Sequence, residues 1–154
     1  MTKIPPLTMA DLITPDQILD QANFNDKSSA IRQLAVHAGE LAHVDSAIIE
    51  QALKAREALG STGVGEGIAI PHARIEGLNG FFGLFARLAK PIDFASVDGK
   101  PIDLVFLLLI PLNAASQQVS ALALISRRLR NKPVLEALRG AGDRSKIYQL
   151  LIGS

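Results

Sequence analysis

Four glycines fall within eight residues, at Gly60, Gly63, Gly65 and Gly67, and a histidine follows at His72. Glycine lets the main chain turn its N–H groups toward one point and approach an anion with no side chain in the way. Such a loop can cradle a phosphate. His72 adds a reactive group, because a neutral imidazole nitrogen is a good nucleophile near pH 7 and a phosphorylated imidazole remains a reactive donor. Alone, the histidine reads more simply as a surface or packed residue, and the glycines as a flexible loop. Side by side they point to reversible phosphoryl transfer.

Two common phosphate fingerprints fail here. A P-loop ends in Gly-Lys-Ser/Thr before a helix, whereas Gly67 is followed by Ile-Ala-Ile-Pro. A dinucleotide fingerprint runs from strand through glycines into a helix, whereas this loop follows a helical segment and enters an extended one. Arg56, sixteen residues before His72, shares a helical face with Ile49, Ala52 and Leu53 and is aimed inward. Two roles fit it equally on spacing. Its guanidinium stabilises a transferring phosphoryl group, or it snorkels to the rim and quiets its own helix terminus.

Other polar groups carry less. His37 and His43 have no carboxylate or second histidine at i+4 spacing, so they read as helix surface and no metal site is expected. Asp93, Asp98 and Asp103 stand beside Pro, Gly or a strand start and read as turn formers. Arg127, Arg128, Arg130 and Lys132 read as a solvated helix face near a C-terminus. A hydrolase using His72 as general base lacks a nucleophile, a metal cluster or an acid partner at suggestive spacing.

The elements that must hold Arg56 and His72 follow from periodicity. An extended piece is expected over residues 18–24. A helix capped by Asn25 or Asp26 then runs to about Ala42, with Ile31, Leu34, Ala35, Ala38, Leu41 and Ala42 facing inward. Asp45 caps the next helix, which closes at Gly60. Residues 68–70 are extended because Pro71 disfavours helix before it, and 81–88 form a strand bounded by Gly80 and Lys90-Pro91. The stretch 102–110 is apolar on both alternating faces and is the central strand, covered above and below. A helix spans about 115–131 and stops at Pro133, and two short helices, 134–139 and 143–151, finish the chain. Strands covered on both faces with helices between them predict an α/β fold, a three-layer sandwich with a mixed sheet flanked by helices on both faces.

Composition agrees with one domain over 1–154: 48% hydrophobic and 20% charged residues describe a core-forming chain. The sequence has no cysteine, which removes disulfides and thiolate chemistry. Sixteen basic and fifteen acidic side chains leave no field to attract nucleic acid or an anionic membrane. Residues 1–6 lack the apolar run of a signal peptide, and the longest apolar stretch, 104–110, is far below the roughly 20 residues of a membrane span. A cytoplasmic protein with no membrane span is expected.

The stretch Arg56-Glu-Ala-Leu-Gly-Ser-Thr-Gly-Val-Gly-Glu-Gly-Ile-Ala-Ile-Pro-His72 closely resembles the active-site signature of the fructose/mannitol/nitrogen-type IIA family of the bacterial phosphotransferase system. The likeness continues through Lys90-Pro-Ile-Asp-Phe94 and the 97–111 segment into the helix around 122–129, so it covers most of the chain. Leu59-Gly-Ser-Thr-Gly63 looks most like the nitrogen-related branch, with the sugar-specific branches as the alternative. The resemblance implies that His72 is phosphorylated, that Arg56 supports it, and that Ser61, Thr62, Gly63, Gly65 and Gly67 surround the phosphate. It also implies an HPr- or NPr-like phosphocarrier as donor, regulatory target proteins in potassium or nitrogen physiology, and no cofactor. One departure stands out: the family's second histidine is matched by Gln118, which can donate an amide hydrogen bond to a phosphoryl oxygen but carries no charge. Slower transfer, or a regulatory binding module with weak or no transfer, is the corresponding expectation.

Overall fold

A computed structural model describes residues 6–153, and the expectation made for residues 1–6 lies, except for Pro6, outside that span. Strand β6, Ile102–Pro111, is the axis of the molecule, and every side chain in it except Asp103 is buried. Alternation sorts them. Val105, Leu107 and Leu109 enter one core, while Leu104, Phe106, Leu108 and Ile110 enter the other. The first core is closed by α1, Lys27–Ala42, and α2, Ser46–Glu57, and the second by α3, Gln118–Arg130, α4, Lys132–Gly140, and α5, Arg144–Ile152. Each such side chain contributes roughly 1.5–3 kcal/mol on burial, which is why a strand apolar on both faces must lie in the middle layer. The α/β three-layer sandwich stands as expected, and Phe85 meets Phe106 edge-on within it.

The sheet is mixed. β5, Phe82–Ile92, runs antiparallel to β6, and β1, Ile18–Ala22, lies parallel outside β5. On the other side of β6 two short parallel strands lie end to end, β3, Ile68–Ala69, against Leu104 and Val105, and β4, His72–Ile75, against Leu108 to Pro111. Ile70 and Pro71 separate them, although the Pro71 carbonyl still accepts from Leu108 N–H at 2.9 Å. β2, Gly63–Gly65, folds back antiparallel on β3.

Side-chain caps fix the helix starts: Asp26 accepts from Ser29 N–H, Asp45 from Ala47, Asn131 from Val134 and Asp143 from Lys146, each worth about 1 kcal/mol. Ala42 packs against the first core as expected, but Leu41, at the margin of the α1 stripe in its last turn, is exposed rather than inward. Several boundaries also differ from expectation. α2 ends at Glu57, and Gly60, with φ 145°, sits in a loose turn rather than in the left-handed cap. β5 continues past Lys90-Pro91 to Ile92, because a register break between Arg87 and Ile92 leaves Pro91 exposed and outside the paired ladder. Residues Leu112–Gln117 form a 3-10 segment with Ala114 out of helical geometry, so the α-helix expected from about 115 begins at Gln118.

Two arginines tie the helices to the sheet. Arg87 of β5 grips Asp20 of β1 through two 2.7 Å hydrogen bonds and also donates to the carbonyls of Leu138 and Ala141. That contact holds the Asp20 carboxyl below its usual range. Arg139 of α4 pairs with Asp103 at 2.9 Å and donates to the Glu66 carbonyl. Asp103 is therefore an ion-pair partner, not a turn former. Asp93 and Asp98 do close turns, accepting from Ala95 and Lys100 N–H. The basic residues of α3 lie in its last turn as expected, and Arg128 donates to the Leu150 carbonyl.

Candidate phosphoacceptor site

β4 pairs with β6 alone and so forms an edge of the sheet. Ala73 and Ile75 of β4 are buried in the core under α1 and α2, which turns His72 and Arg74 to the opposite face, toward α3. His72 is half-buried. It lies where the two helical layers approach the same edge: the C-terminal turn of α2 brings Arg56, and α3 brings Leu122 and Ser126. These residues, with Ser61, Thr62, Val64 and Ile70 of the hairpin, line a cavity of about 200 Å³.

The imidazole is held in one tautomer. Its Nδ1 lies 2.9 Å from the Ile70 carbonyl, which can only accept, so Nδ1 carries the proton. Arg56 Nε, which can only donate, faces Nε2 at 3.4 Å. Both contacts leave the Nε2 lone pair on the side of Arg56 and the cavity. Burial pushes the His72 pKa below its ordinary 6.5; the Ile70 contact pulls it up, the Arg56 charge pushes it down, and Glu57 pulls it up. The net direction is down, so the ring is neutral and nucleophilic at pH 7. A contact of 3.4 Å is long and easily opened. Arg56 is meanwhile anchored by Nη1 to the Gly60 carbonyl at 2.9 Å.

Arg56, Ser61, Thr62 and His72 are thus brought together. Their polar groups are less free than a phosphate cradle requires. Thr62 is buried, its hydroxyl and N–H both donate to the Glu57 carboxylate, and Lys27 pairs with that carboxylate at 2.7 Å. Ser61 Oγ donates to the Phe94 carbonyl and accepts from Gly63 N–H at 3.0 Å. Gly63 packs against Ser96 so closely that a Cβ there would lie 2.3 Å from its hydroxyl.

Gly65 and Gly67 do not line this cavity, although the whole glycine run was expected to surround a phosphate. Ile68 pairs with Leu104 and His72 with Leu108; four residues of strand put these pairs about 13 Å apart. Gly65 abuts Asp98, and Gly67, at φ 78°, leaves room for Arg139 and Asp103. The hairpin spreads the glycines along its length instead of gathering them. Gln118 does not line the cavity; its Oε1 accepts from Arg74 Nε at 2.8 Å.

Sequence reasoning missed Glu57, Arg74 and Ser126. Ser126 follows Gln118 and Leu122 at i+4 steps on one helical face, a pattern visible in the sequence. Arg74 becomes a neighbour of His72 only once 72–75 is known to be a strand. Nothing local marks Glu57. Among the described residues no cluster of His, Cys, Asp or Glu could hold a metal, and no helix is long and apolar enough to cross a membrane.

Residues 11–153 match the family model described as phosphoenolpyruvate-dependent sugar phosphotransferase system, EIIA 2. A nitrogen regulatory protein of Bradyrhizobium diazoefficiens is 44% identical over 145 residues, covering 94% of this chain and 95% of its own. A nitrogen regulatory protein of Pseudomonas aeruginosa is 35% identical over 147 residues, covering 95% and 96%. Among solved structures, the nitrogen regulatory protein IIA-Ntr of Neisseria meningitidis superposes with a TM-score of 0.86 at 30% identity, covering 93% of this chain and 98% of that one.

Proposed function

Because the chain belongs to the EIIA 2 family of the phosphoenolpyruvate-dependent sugar phosphotransferase system, we propose that it is a phosphoryl carrier of the nitrogen-regulatory kind. It takes a phosphoryl group from an HPr- or NPr-like phosphocarrier protein onto Nε2 of His72 and signals to target proteins through its phosphorylation state. The observation that carries this reading is the fixed tautomer: the Nδ1 proton is committed to the Ile70 carbonyl, and the Nε2 lone pair meets only the long contact to Arg56.

The chemistry balances without an external base. The Nε2 lone pair attacks phosphorus in line, the P–N bond to the donor's imidazole breaks, and its electron pair returns to that ring. The proton on Nδ1 stays in place, and the Ile70 carbonyl stabilises the positive charge the His72 ring acquires. Arg56 gives up its weak contact to Nε2 and donates to a phosphoryl oxygen, in a site that excludes part of the solvent and so strengthens the pairing.

Incubation with phosphoenolpyruvate, the first enzyme of the system and an HPr-type carrier, followed by intact-mass measurement, tests the proposal. One added phosphate is expected, absent in His72→Ala, and about 100-fold slower to appear in Arg56→Met. Wild-type protein that gains no mass, or a His72→Ala variant that gains it equally, overturns the reading.

A further inference from the structure

Two residues along a strand lie about 7 Å apart on one face, and β4 places Arg74 at that spacing from His72 on the face turned toward α3. A guanidinium on its long stem spans such a gap. Arg74 is exposed, yet it is not left to wander: Nε donates to Oε1 of Gln118, the first residue of α3, at 2.8 Å. Among the described residues its two terminal nitrogens make no hydrogen bond and no carboxylate lies within 4.0 Å. The tether is neutral. It orients the guanidinium through Nε and leaves the Nη donors and the full positive charge available. Arg87 and Arg139, by contrast, are both tied to carboxylates.

We infer that Arg74 is a second guanidinium ligand of the phosphoryl group on His72, approaching along the strand while Arg56 approaches from α2, and that Gln118 is the residue that positions it. The inference rests on the reading of His72 as phosphoacceptor and deepens it. A phosphoryl group on Nε2 presents three oxygens and, when fully ionised, two negative charges, more than Arg56 alone can pair while Nη1 stays on the Gly60 carbonyl. Gln118 then acts not by touching the phosphate but by presenting a charge in place of one it lacks.

The test uses a small donor, so that docking of a protein partner does not enter. Phosphoramidate, which reacts in its N-protonated form, phosphorylates the chain: the Nε2 lone pair bonds to phosphorus, the P–N bond of the donor breaks, and neutral ammonia leaves with that bond's electron pair. The 31P resonance missing in His72→Ala identifies the adduct, and its shift is followed against pH. A nearby guanidinium favours the dianion, so the phosphoryl group of Arg74→Gln should titrate higher than in wild type by about one pH unit. Gln118→Leu should give a smaller shift in the same direction, and Arg74→Lys should recover part of it. Identical titration curves for wild type and Arg74→Gln overturn the inference. So does slower transfer from the HPr-type carrier in Arg74→Gln with an unmoved 31P titration, which would make Arg74 a docking residue. Wild type that takes phosphate from neither donor overturns both this inference and the reading of His72 beneath it.

Discussion

Two regions of the molecule each hold a pair of arginines, one pair flanking a cavity and the other on the sheet edge that carries His72, and they use them oppositely. Between β1, β5 and α4, Arg87 and Arg139 flank a cavity of about 310 Å³, larger than the 200 Å³ beside His72. There each guanidinium meets a carboxylate, Asp20 or Asp103, and further donors are taken by carbonyls. At the His72 edge, Arg56 and Arg74 meet a carbonyl, an imidazole nitrogen and a side-chain amide oxygen, all neutral. Cavity size does not separate the two regions; uncompensated charge does. A neutralised guanidinium holds layers together, while one tethered by neutral acceptors keeps its charge for an incoming anion.

Arg87→Met attacks this contrast where the effect should be largest. The Arg87 and Asp20 side chains are only 12% and 17% exposed, so removing the cation strands a largely buried carboxylate together with two carbonyls. The loss should be about 3 kcal/mol in urea unfolding, with the rate of His72 phosphorylation unchanged under conditions where the variant is folded. A variant that keeps its stability but transfers slowly would erase the distinction between the two regions.

Some of this was open to reading before any coordinates. The apolar run of 102–110 on both alternating faces required a strand buried between two helical layers, and Asn25 or Asp26, and Asp45, marked helix starts that the structure caps with Asp26 and Asp45. Arg56 and His72 were named on residue type, helical face and the resemblance of their segment. What stayed hidden is non-local. Residues 72–75 are too few to show alternation, so the strand that makes Arg74 a neighbour of His72 could not be seen. Asp103 meets a partner 36 residues away, and local composition favoured a turn. The layout of the glycine cluster is hidden for the same reason, since nearness in sequence says nothing about which end of a hairpin each glycine occupies.

Gly67→Ala sharpens that last point with a smaller effect. The position has φ 78°, and a Cβ would lie 2.5 Å from an Arg139 nitrogen and 2.8 Å from an Asp103 oxygen. Backbone strain and displacement of that ion pair should together cost about 1–2 kcal/mol. If Gly67 belongs to the structural region, the variant is destabilised by this amount in urea unfolding yet accepts phosphate at the wild-type rate. A fully stable variant that no longer accepts phosphate would return Gly67 to the site.

The smallest expected effect separates the two regions by pH. His72 has a folded pKa below its ordinary 6.5, so between that lowered value and 6.5 the unfolded chain binds more protons than the folded one. Stability contributed by keeping this ring neutral is therefore present in full above 6.5 and falls as pH drops through that window. Asp20 behaves separately. Its folded pKa lies below 3.8 because Arg87 donates to it, so its contribution is present above 3.8 and lost only as pH falls through the lower folded value. Urea unfolding of wild type and His72→Gln across these two ranges should show a shallow slope just below 6.5 that vanishes in the variant, while the steeper loss in strong acid persists in both. If His72→Gln leaves the upper slope untouched, the imidazole is not held neutral by its burial at the sheet edge.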